Sequence, residues 1–378
     1  MKIIILQGAF LPVPPTLGGA VEKMWFALGK NFAKQGHEVK HISRSYPDLK
    51  EEEIIDGVKH KRIPGYTIPS SGIYLKWLDL LYTIRARKII PIDCDIVITN
   101  TFWAPILLSS RLRRRCVVDV ARIPKGQMKW YKKSLMLRAN STFVASAIKQ
   151  ELPDRNHEQV IMIPNPLPFD NLTDIDQSRK KNVLLYTGRV HPEKGLEILI
   201  NAFKALKGNW KLKIVGPWEI SAGGGGLMYL QRLKQLAADT QVEFTGPVFN
   251  TNKLHLMYQE ASVFIYPSVA EKGETFGLAP LEAMAWGCVP IVSNLECFKD
   301  FIKDGINGLV FDHRNSKAVE LLENSIARLQ NDDSLMSKLS REALKVRDSH
   351  STFNISLLFL ETFSQMINKK KLSFHKSS

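Results

Sequence analysis

Two carboxylates with seven residues between them, Glu274 and Glu282, have the residue type and spacing to bind one ligand together. Between them lies a small and apolar run that includes Phe276, Gly277 and Leu278. Carboxylates accept hydrogen bonds from hydroxyl groups, and free backbone N–H groups at a helix N-terminus bind phosphate oxygens. The stretch therefore suits a ligand that carries both phosphates and hydroxyls.

The flanking residues predict the elements that hold these groups. Phe264–Tyr266 is short, apolar and aromatic, which is typical of a buried strand, and Val289–Val292 resumes as another strand. Pro280 is predicted at the first position of a helix over 280–286, because a missing N–H costs nothing there. This arrangement puts Glu282 in the first helical turn, near its positive end, with Glu274 in the loop just before it.

Two cations, Arg189 and Lys194, follow the predicted strand Asn182–Thr187 and the turn residue Gly188. On a loop beyond a strand, two such side chains could clamp a diphosphate, since both donate hydrogen bonds and carry positive charge. Two cations in a loop would be unremarkable alone, so their assignment to a phosphate site depends on the sequence around them.

The chain opens with a similar unit, a short buried strand over residues 2–6 followed by Gly18, Gly19 and a predicted helix. Glycines just before a helix let a phosphate approach the backbone closely, although a plain tight turn is the simpler interpretation. Because both halves begin with a strand, a glycine-containing loop and a helix, we expect two doubly wound α/β domains. Further predicted elements are a helix over Ile73–Ile90 and a strand over Ser141–Ala145.

The length of 378 residues favours two domains, and the 44% hydrophobic and 24% charged content is that of a globular protein. No apolar run approaches the roughly 18 residues that a membrane span needs. The first apolar segment is too short for a signal peptide, so we expect a cytoplasmic protein. The 4 cysteines lie far apart without metal-ligand spacing, which predicts reduced, buried thiols and no zinc site.

The net charge of +15 is concentrated in the first half, where residues 1–175 hold 26 basic against 16 acidic side chains. Arg111–Arg115 and Lys129–Lys133 are the densest basic clusters, and the second is interleaved with aromatic residues. Solvated helix faces are the simpler interpretation, and the competing hypothesis is peripheral contact with anionic lipid at the inner face of the plasma membrane. Because no recognisable nucleic-acid motif accompanies the charge, nucleic acid is not an expected partner.

Asp93 and Asp95 have the spacing of an Asp-x-Asp metal-binding motif, but they precede the predicted strand Ile96–Thr99. Ligands of open parallel sheets bind beyond the carboxyl ends of the strands, not at the amino ends. We therefore predict that these two carboxylates close a turn and bind no metal.

The stretch from Glu274 to Ser293, ETFGLAPLEAMAWGCVPIVS, resembles the signature of the family-four retaining glycosyltransferases, which have the GT-B fold. The segment TGRVHPEKG, which contains Gly188, Arg189 and Lys194, is similar to the family's phosphate-binding pair. The resemblance covers nearly the whole chain and is densest from 182 to 312.

This resemblance implies an α/β protein of the GT-B fold, with two doubly wound, Rossmann-like domains that face each other across a cleft. It implies an acceptor-side domain over residues 1–170, a linker over 171–181 and a nucleotide-sugar-binding domain over 182–350. Residues 351–378 would form a helix that crosses back to the first domain, followed by a basic tail.

The family's donor-binding residues fall on matching positions of this chain. As the resemblance implies, Glu282 would hydrogen-bond the ribose hydroxyls and Glu274 the transferred sugar. Backbone N–H groups near Phe276, Gly277 and Leu278 would meet the sugar or the diphosphate.

Arg189 and Lys194 would neutralise charge as the diphosphate leaves, which is electrostatic catalysis without a metal or another cofactor. Gly18 and Gly19 would face the donor's phosphates across the cleft, and Val242–Gly246 would flank the nucleotide base. The replacement Lys194→Ala is therefore expected to reduce the rate far more than the folding stability.

Many relatives have a histidine on the acceptor side, where this chain offers only Asn100, Asp119 and Arg122, and which of them takes its place is left open. The implied reaction moves a sugar, with retention, from a nucleotide-diphosphate sugar to a saccharide or lipid-linked saccharide acceptor. The implied setting is synthesis of a bacterial surface polysaccharide such as O-antigen, capsule or lipopolysaccharide. Two alternatives are a nucleotide-sugar epimerase of the same fold and a non-enzymatic basic protein that binds nucleic acid.

Overall fold

The computed structural model of the chain describes residues 1–169 and 179–375. The chain divides into two compact units, of which the first comprises Met1–Asp170 with His350–Ser378 and the second Asn171–Ser349. Residues 170–178, which hold most of the predicted linker 171–181, lie outside the described residues.

The first unit is built on an eight-stranded sheet in the order β3-β4-β2-β1-β5-β6-β7-β8. Its strands are β1 Lys2–Leu6, β2 Glu38–Arg44, β3 Glu52–Ile55, β4 Val58–Ile63, β5 Ile96–Thr99, β6 Cys116–Val120, β7 Met136–Ala139 and β8 Val160–Met162. All neighbours pair in parallel except β3 with β4, which are antiparallel. Its helices up to β8 are α1 Ala20–Lys34, α2 Gly72–Ala86, α3 Ala104–Leu107, α4 Ser110–Arg113, α5 Met128–Tyr131 and α6 Thr142–Gln150.

The central strand β1 is buried on both faces, which explains its unbroken apolar sequence. Ile4 and Leu6 pack into one core, and Ile3 and Ile5 pack into the core on the other face, which α1 covers. The order of the strands reverses between β1 and β5, so the carboxyl ends of these two strands form a topological switch point, where doubly wound sheets bind ligands.

The second unit contains a six-stranded, fully parallel sheet in the order β11-β10-β9-β12-β13-β14. The strands are β9 Lys181–Thr187, β10 Lys211–Val215, β11 Val242–Gly246, β12 Ala261–Tyr266, β13 Val289–Ser293 and β14 Leu309–Phe311. The helices are α7 Leu196–Ala205, α8 Gly226–Leu236, α9 Thr251–Glu260, α10 Leu278–Ala285, α11 Ala318–Gln330, α12 Asp333–Ala343 and α13 Val346–Ser349. Here the strand order reverses between β9 and β12.

The last helix, α14 (Thr352–His375), belongs to the first unit and packs against α1. The ring centroid of Phe359 lies 5.2 Å from that of Trp25, and the centroid of Phe363 lies 6.2 Å from that of Phe32. These buried rings extend the core under α1, so the end of the chain is part of the first unit's hydrophobic core.

The predicted helix over Ile73–Ile90 is confirmed as α2, which a short 3₁₀ turn over Arg87–Ile89 extends. The predicted strand over Ser141–Ala145 is wrong, because the strand β7 ends at Ala139 and these residues begin α6. The Ser141 hydroxyl accepts a hydrogen bond from the backbone N–H of Val144 at 3.2 Å, so a serine N-cap starts a helix there. None of the described helices combines the length and apolar character needed to cross a membrane.

Candidate active site

The switch point between β9 and β12 brings two predicted catalytic side chains into contact. Lys194 follows β9 and Glu274 follows β12, and the Lys194 Nζ lies 2.7 Å from the Glu274 Oε2. The side chains are only 7% and 12% exposed, so this ion pair is nearly buried. The structure therefore places an ammonium and a carboxylate together at the carboxyl edge of the sheet, where doubly wound folds bind their ligands.

Close approach of two loops holds this pair together. Gly195, which follows Lys194, has a φ of +66°, and a Cβ added to it would lie 2.1 Å from the Pro267 carbonyl oxygen. The backbone N–H of Val269 donates to the Glu193 carbonyl oxygen at 2.9 Å, which ties the loop after β12 to the loop after β9. A side chain at position 195 would force the loops apart.

Buried tyrosines form the floor beneath the pair. The Lys194 ammonium lies 5.3 Å from the ring centroid of Tyr266, and Tyr186 stacks on Tyr266 with centroids 5.7 Å apart. Burial, and then the neighbouring Glu274 carboxylate, raise the pKa of Tyr266 well above its ordinary value. Tyr266 therefore stays protonated and presents a neutral ring to the cation.

Arg189 is held at the surface of the same edge. Its Nη2 lies 2.6 Å from the Glu193 Oε1, and its Nη1 donates to the Gly223 carbonyl oxygen at 2.7 Å. The Arg189 side chain is 43% exposed, in contrast to Lys194. The preceding residue, Gly188, packs against Tyr186, whose hydroxyl would lie 2.7 Å from an added Cβ.

The predicted start of α10 is wrong by two residues, since the helix begins at Leu278 and Pro280 is its third residue. Gly277, with a φ of +90°, is the N-cap residue directly before this helix. A Cβ added to Gly277 would lie 2.4 Å from a ring carbon of Phe298. Proline is tolerated throughout the first turn, where backbone N–H groups have no helical partner. Phe276 is buried and packs against Phe301, with ring centroids 5.3 Å apart.

Glu282 consequently lies in the second turn of α10, and the prediction of a first-turn position is wrong; no acidic residue occupies that first turn. The Tyr258 hydroxyl donates to the Glu282 Oε2 at 3.3 Å and lies 2.8 Å from the Thr187 Oγ1. Because Thr187 directly precedes Gly188, this chain of contacts places Glu282 beside the end of β9. The helix dipole contributes less to Glu282 there than it would in the first turn.

A cavity of about 240 Å³ opens next to these groups, beyond the ends of β10 and β11. Its walls include Ile214, Trp218 and Phe244, with Lys234 and Thr245 as polar groups. A Cβ on its lining residue Gly216 would lie 1.8 Å from the Gly188 carbonyl oxygen, so the cavity adjoins the Arg189 loop. The cavity is small and two of its lining side chains, Trp218 and Phe244, are aromatic, which suits a planar ring with polar edges.

The acceptor-side candidates in the first unit differ sharply in their surroundings. Asp119 is fully buried; its Oδ1 accepts a hydrogen bond from the Arg138 Nη1 at 2.7 Å and its Oδ2 one from the Trp25 Nε1 at 2.8 Å. These contacts give Asp119 a structural role. Arg122 is exposed, and the Asn100 Oδ1 is buried with no hydrogen-bond partner among the described residues.

Gly18 and Gly19 lie in the first unit, in the loop between β1 and α1, and their role toward the donor stays a prediction. Their φ angles are +81° and +94°, and a Cβ on Gly19 would lie 2.2 Å from the Glu22 Oε2. Burial raises the pKa of Glu22 above its ordinary value. Gly19 is therefore packed tightly against an acid that the sequence pattern did not indicate, whereas a Cβ on Gly18 would meet open space.

Asp93 and Asp95 lie in a turn, as predicted, and both contact Lys2. The Asp95 carboxylate accepts a hydrogen bond from the Lys2 backbone N–H at 2.7 Å, and Asp93 pairs with the Lys2 ammonium. In the part of the chain that the structure describes, no three His, Cys, Asp or Glu side chains are grouped to hold a metal ion.

Sequence reasoning found the charged groups and missed their partners. Glu193, Tyr186, Tyr258 and Tyr266 all contact the predicted residues, yet none was predicted as a site residue. The position of Tyr266 at the end of β12 was a usable signal, because ligands of doubly wound sheets bind beyond the carboxyl ends of the strands.

Comparison with solved structures defines the class of fold. An Anabaena protein, solved in complex with UDP, superposes with a TM-score of 0.68 and 19% identity over 97% of this chain and 100% of that one. A glycosyltransferase from Rickettsia africae superposes with a TM-score of 0.71 and 20% identity over 97% of this chain and 99% of that one. With its two doubly wound sheets, the chain shares the GT-B fold of these structures.

Two family models match the chain in succession. The model described as Glycosyltransferase Family 4 matches residues 18–171, and the model described as Glycosyl transferases group 1 matches residues 171–346. A lipopolysaccharide 1,2-N-acetylglucosaminetransferase of Salmonella typhimurium is 27% identical over 343 residues, 81% of this chain and 84% of that protein. The chain belongs to the family-four glycosyltransferases of the GT-B fold.

Proposed function

We propose that the protein is a retaining glycosyltransferase that takes a sugar from a nucleotide-diphosphate sugar. The observation that carries this proposal is the buried pair of Lys194 and Glu274 at the switch point of the second unit, with Arg189 exposed beside it. Such a site offers cations for a diphosphate and a carboxylate for sugar hydroxyls, within one carboxyl edge of a sheet.

In the proposed complex, each group binds the part of the donor that its chemistry fits. The diphosphate lies against Arg189 and Lys194, the transferred sugar against Glu274, and the ribose hydroxyls against Glu282. Backbone N–H groups at the start of α10 bind sugar or phosphate oxygens, because the first N–H groups of a helix lack helical partners. The cavity at the ends of β10 and β11, which Trp218 and Phe244 line, takes the nucleotide base.

The proposed reaction needs no metal ion, because the two cations stabilise the negative charge that develops on the leaving diphosphate. Retention at the anomeric carbon follows if the departing phosphate accepts the proton of the acceptor hydroxyl on the same face. Anomeric proton couplings in the NMR spectrum of the product distinguish retention from inversion, and an inverted product would contradict this step.

The acceptor is proposed to be a saccharide or a lipid-linked saccharide of a bacterial surface polysaccharide. The Salmonella typhimurium relative acts, by its name, on lipopolysaccharide, and O-antigen or capsule chains are acceptors of the same chemistry. The basic clusters of the first unit support a peripheral contact with an anionic membrane, where such acceptors are anchored.

Thermal unfolding with a panel of UDP-, GDP- and ADP-linked sugars tests the donor site, with magnesium and then with chelator. A ligand that binds only the native state raises the melting temperature by mass action. We expect a shift with one nucleotide family, unaffected by chelator, that Glu282→Gln reduces. The matched control is Glu320→Gln on the exposed face of α11. No shift with any donor, or equal shifts in both variants, would overturn the proposed site.

A further inference from the structure

The first unit contains a second cavity, of about 600 Å³, which the proposed donor chemistry does not use. Its apolar walls are four residues that follow β5 and β6, namely Phe102, Trp103, Ile106 and Trp130. This volume is within the range of about 300–1,000 Å³ that is usual for small-molecule sites, which are likewise lined mainly by apolar and aromatic groups.

Five cations surround these walls, and they come from three different elements. Lys76 lies on α2, Arg113 on α4, and Lys129, Lys132 and Lys133 on or just after α5. Within the described parts of the chain, no carboxylate lines the cavity. The lining therefore suits an occupant that carries both an anionic group and an apolar part.

The aromatic walls are held in place by buried contacts. Burial raises the pKa of the Asp79 carboxyl to about 6, and the neighbouring backbone N–H groups of Phe102 and Trp103 oppose this rise, so the carboxyl lies beside the loop that carries both rings. The Trp103 Nε1 donates to the Lys76 carbonyl oxygen at 2.8 Å, and the Tyr131 hydroxyl donates to the Phe102 carbonyl oxygen at 2.9 Å. The cavity is thus formed before any ligand enters, which reduces the entropy that binding must overcome.

The arrangement of the rings favours an apolar chain over stacked nucleic-acid bases. The Phe102 ring meets Trp103 at 82° and Trp130 at 84°, with centroids 5.0 and 5.7 Å away. Rings packed edge to face cover part of each other's faces, whereas base binding needs open ring faces along a groove.

The position of the cavity favours a substrate over bulk lipid. It opens beyond the carboxyl ends of β5 and β6, the edge of the sheet at which doubly wound folds bind substrates. Beside Lys76, α2 exposes the apolar residues Ile73, Tyr74 and Trp77. Tryptophan and tyrosine are enriched at bilayer interfaces, so this rim suits entry of a ligand from a membrane.

We propose that the cavity binds the lipid phosphate of the acceptor, with its hydrocarbon chain against the wall formed by Phe102, Trp103 and Trp130 and its phosphate against the lysines at 129, 132 and 133. This assignment rests on the proposed transfer to a lipid-linked acceptor. It extends that proposal by naming the lipid phosphate as the part of the acceptor that the first unit binds. The saccharide end of the acceptor then extends away from the lysines.

Dodecyl phosphate, below its critical micelle concentration, is the probe, and calorimetric titration of the full chain is the measurement. We expect saturable binding that neither inorganic phosphate nor neutral dodecyl maltoside reproduces. Trp130→Ala and Lys133→Glu are each expected to weaken binding at least about tenfold, which corresponds to 1.4 kcal/mol. Both side chains are exposed, so the fold should survive. The matched control is Lys149→Glu, an exposed lysine of α6 outside the cavity, which should bind normally.

Three results would overturn the proposal. One is equal affinity of the parent and the Lys133→Glu variant for dodecyl phosphate. Another is binding to vesicles of anionic phospholipid with none to the monomeric probe, which would indicate a membrane-docking surface. The third is displacement of the probe by oligothymidylate, which would indicate nucleic acid. A normal thermal shift with a sugar nucleotide in the same samples would show that the donor site still binds. Any of these three results would then contradict only the proposal for the cavity.

Discussion

Replacing Lys194 separates its contribution to folding from its contribution to the reaction. The Lys194 ammonium and the Glu274 carboxylate lie 2.7 Å apart with 7% and 12% of their side chains exposed. Removing one partner of such a buried pair leaves an uncompensated charge and costs about 3–5 kcal/mol. Lys194→Met should therefore lower the free energy of unfolding by about that amount. The expectation from sequence, that Lys194→Ala would reduce the rate far more than the folding stability, did not include this buried partner.

The double variant Lys194→Met with Glu274→Gln is the informative one. It leaves no charge unpaired, and replacing a buried ion pair by neutral groups is often close to neutral for stability. We expect the free energy of unfolding to return to within about 1–2 kcal/mol of the parent value. The transfer rate should remain at least about 100-fold below that of the parent, because the cation proposed to face the leaving diphosphate is still missing.

Two measurements are needed. Urea unfolding gives the stability of each variant, and initial transfer rates with the donor that the thermal panel selects give its activity. Lys181→Met provides the control, since its 2.7 Å pair with Glu260 lies at the surface with side chains 60% and 37% exposed. A surface pair of this kind contributes at most about 1 kcal/mol. A double variant that recovers normal turnover would refute the catalytic role of Lys194. A Lys194→Met protein as stable as its parent would refute the reasoning from burial.

Three further predictions concern single residues. Tyr258→Phe removes the hydrogen bond to Glu282, so we expect a severalfold weaker donor affinity by calorimetry, with a stability loss of about 1 kcal/mol. Burial first, and a nearby arginine next, lower the pKa of His60 to about 4, so the unfolded chain binds more protons than the folded one between pH 6.5 and 4. Stability should fall as the pH drops through that window, and His60→Phe should reduce the slope in urea titrations by up to about 1.4 kcal/mol per pH unit. Asp119→Ala leaves the buried Arg138 unpaired and should cost about 3–5 kcal/mol of unfolding free energy; an unaffected denaturation midpoint would contradict its structural role.

The sequence predicts β9 and β13 of the second unit well because most of their residues are buried and apolar. The predicted strand Asn182–Thr187 and the observed β9, Lys181–Thr187, differ by one residue. The strand Phe264–Tyr266 was predicted too short, since β12 begins at Ala261, where alanine and serine break the apolar run. The start of α10 was predicted two residues late, at Pro280. The left-handed conformation of Gly277, which precedes the helix, depends on its packing and cannot be read from the sequence.

Pairing between distant residues could not be predicted from the sequence. Lys194 and Glu274 are 80 residues apart, and their contact depends on the approach of Gly195 to the Pro267 carbonyl oxygen. Gly195 was a usable signal, since a glycine directly after a functional lysine often permits close backbone approach. The basic run at 129–133 can be read from the sequence. The cavity beside it cannot, because it forms only where α2 lies next to the end of β5.

The pairing of the charges leads to different roles for the two cations of the donor site. Arg189 pairs with Glu193 at the surface, where such a contact contributes about 0–1 kcal/mol, so the guanidinium can turn to a phosphate at little cost. Lys194 is bound to Glu274 in a nearly buried pair and cannot leave it without exposing an uncompensated carboxylate. In the proposed complex, an incoming diphosphate is therefore attracted first by Arg189, and it reaches Lys194 with the Lys194–Glu274 pair still formed. The ammonium would then bridge the carboxylate and the diphosphate, which would place the proposed sugar-binding acid and the leaving group on one cation.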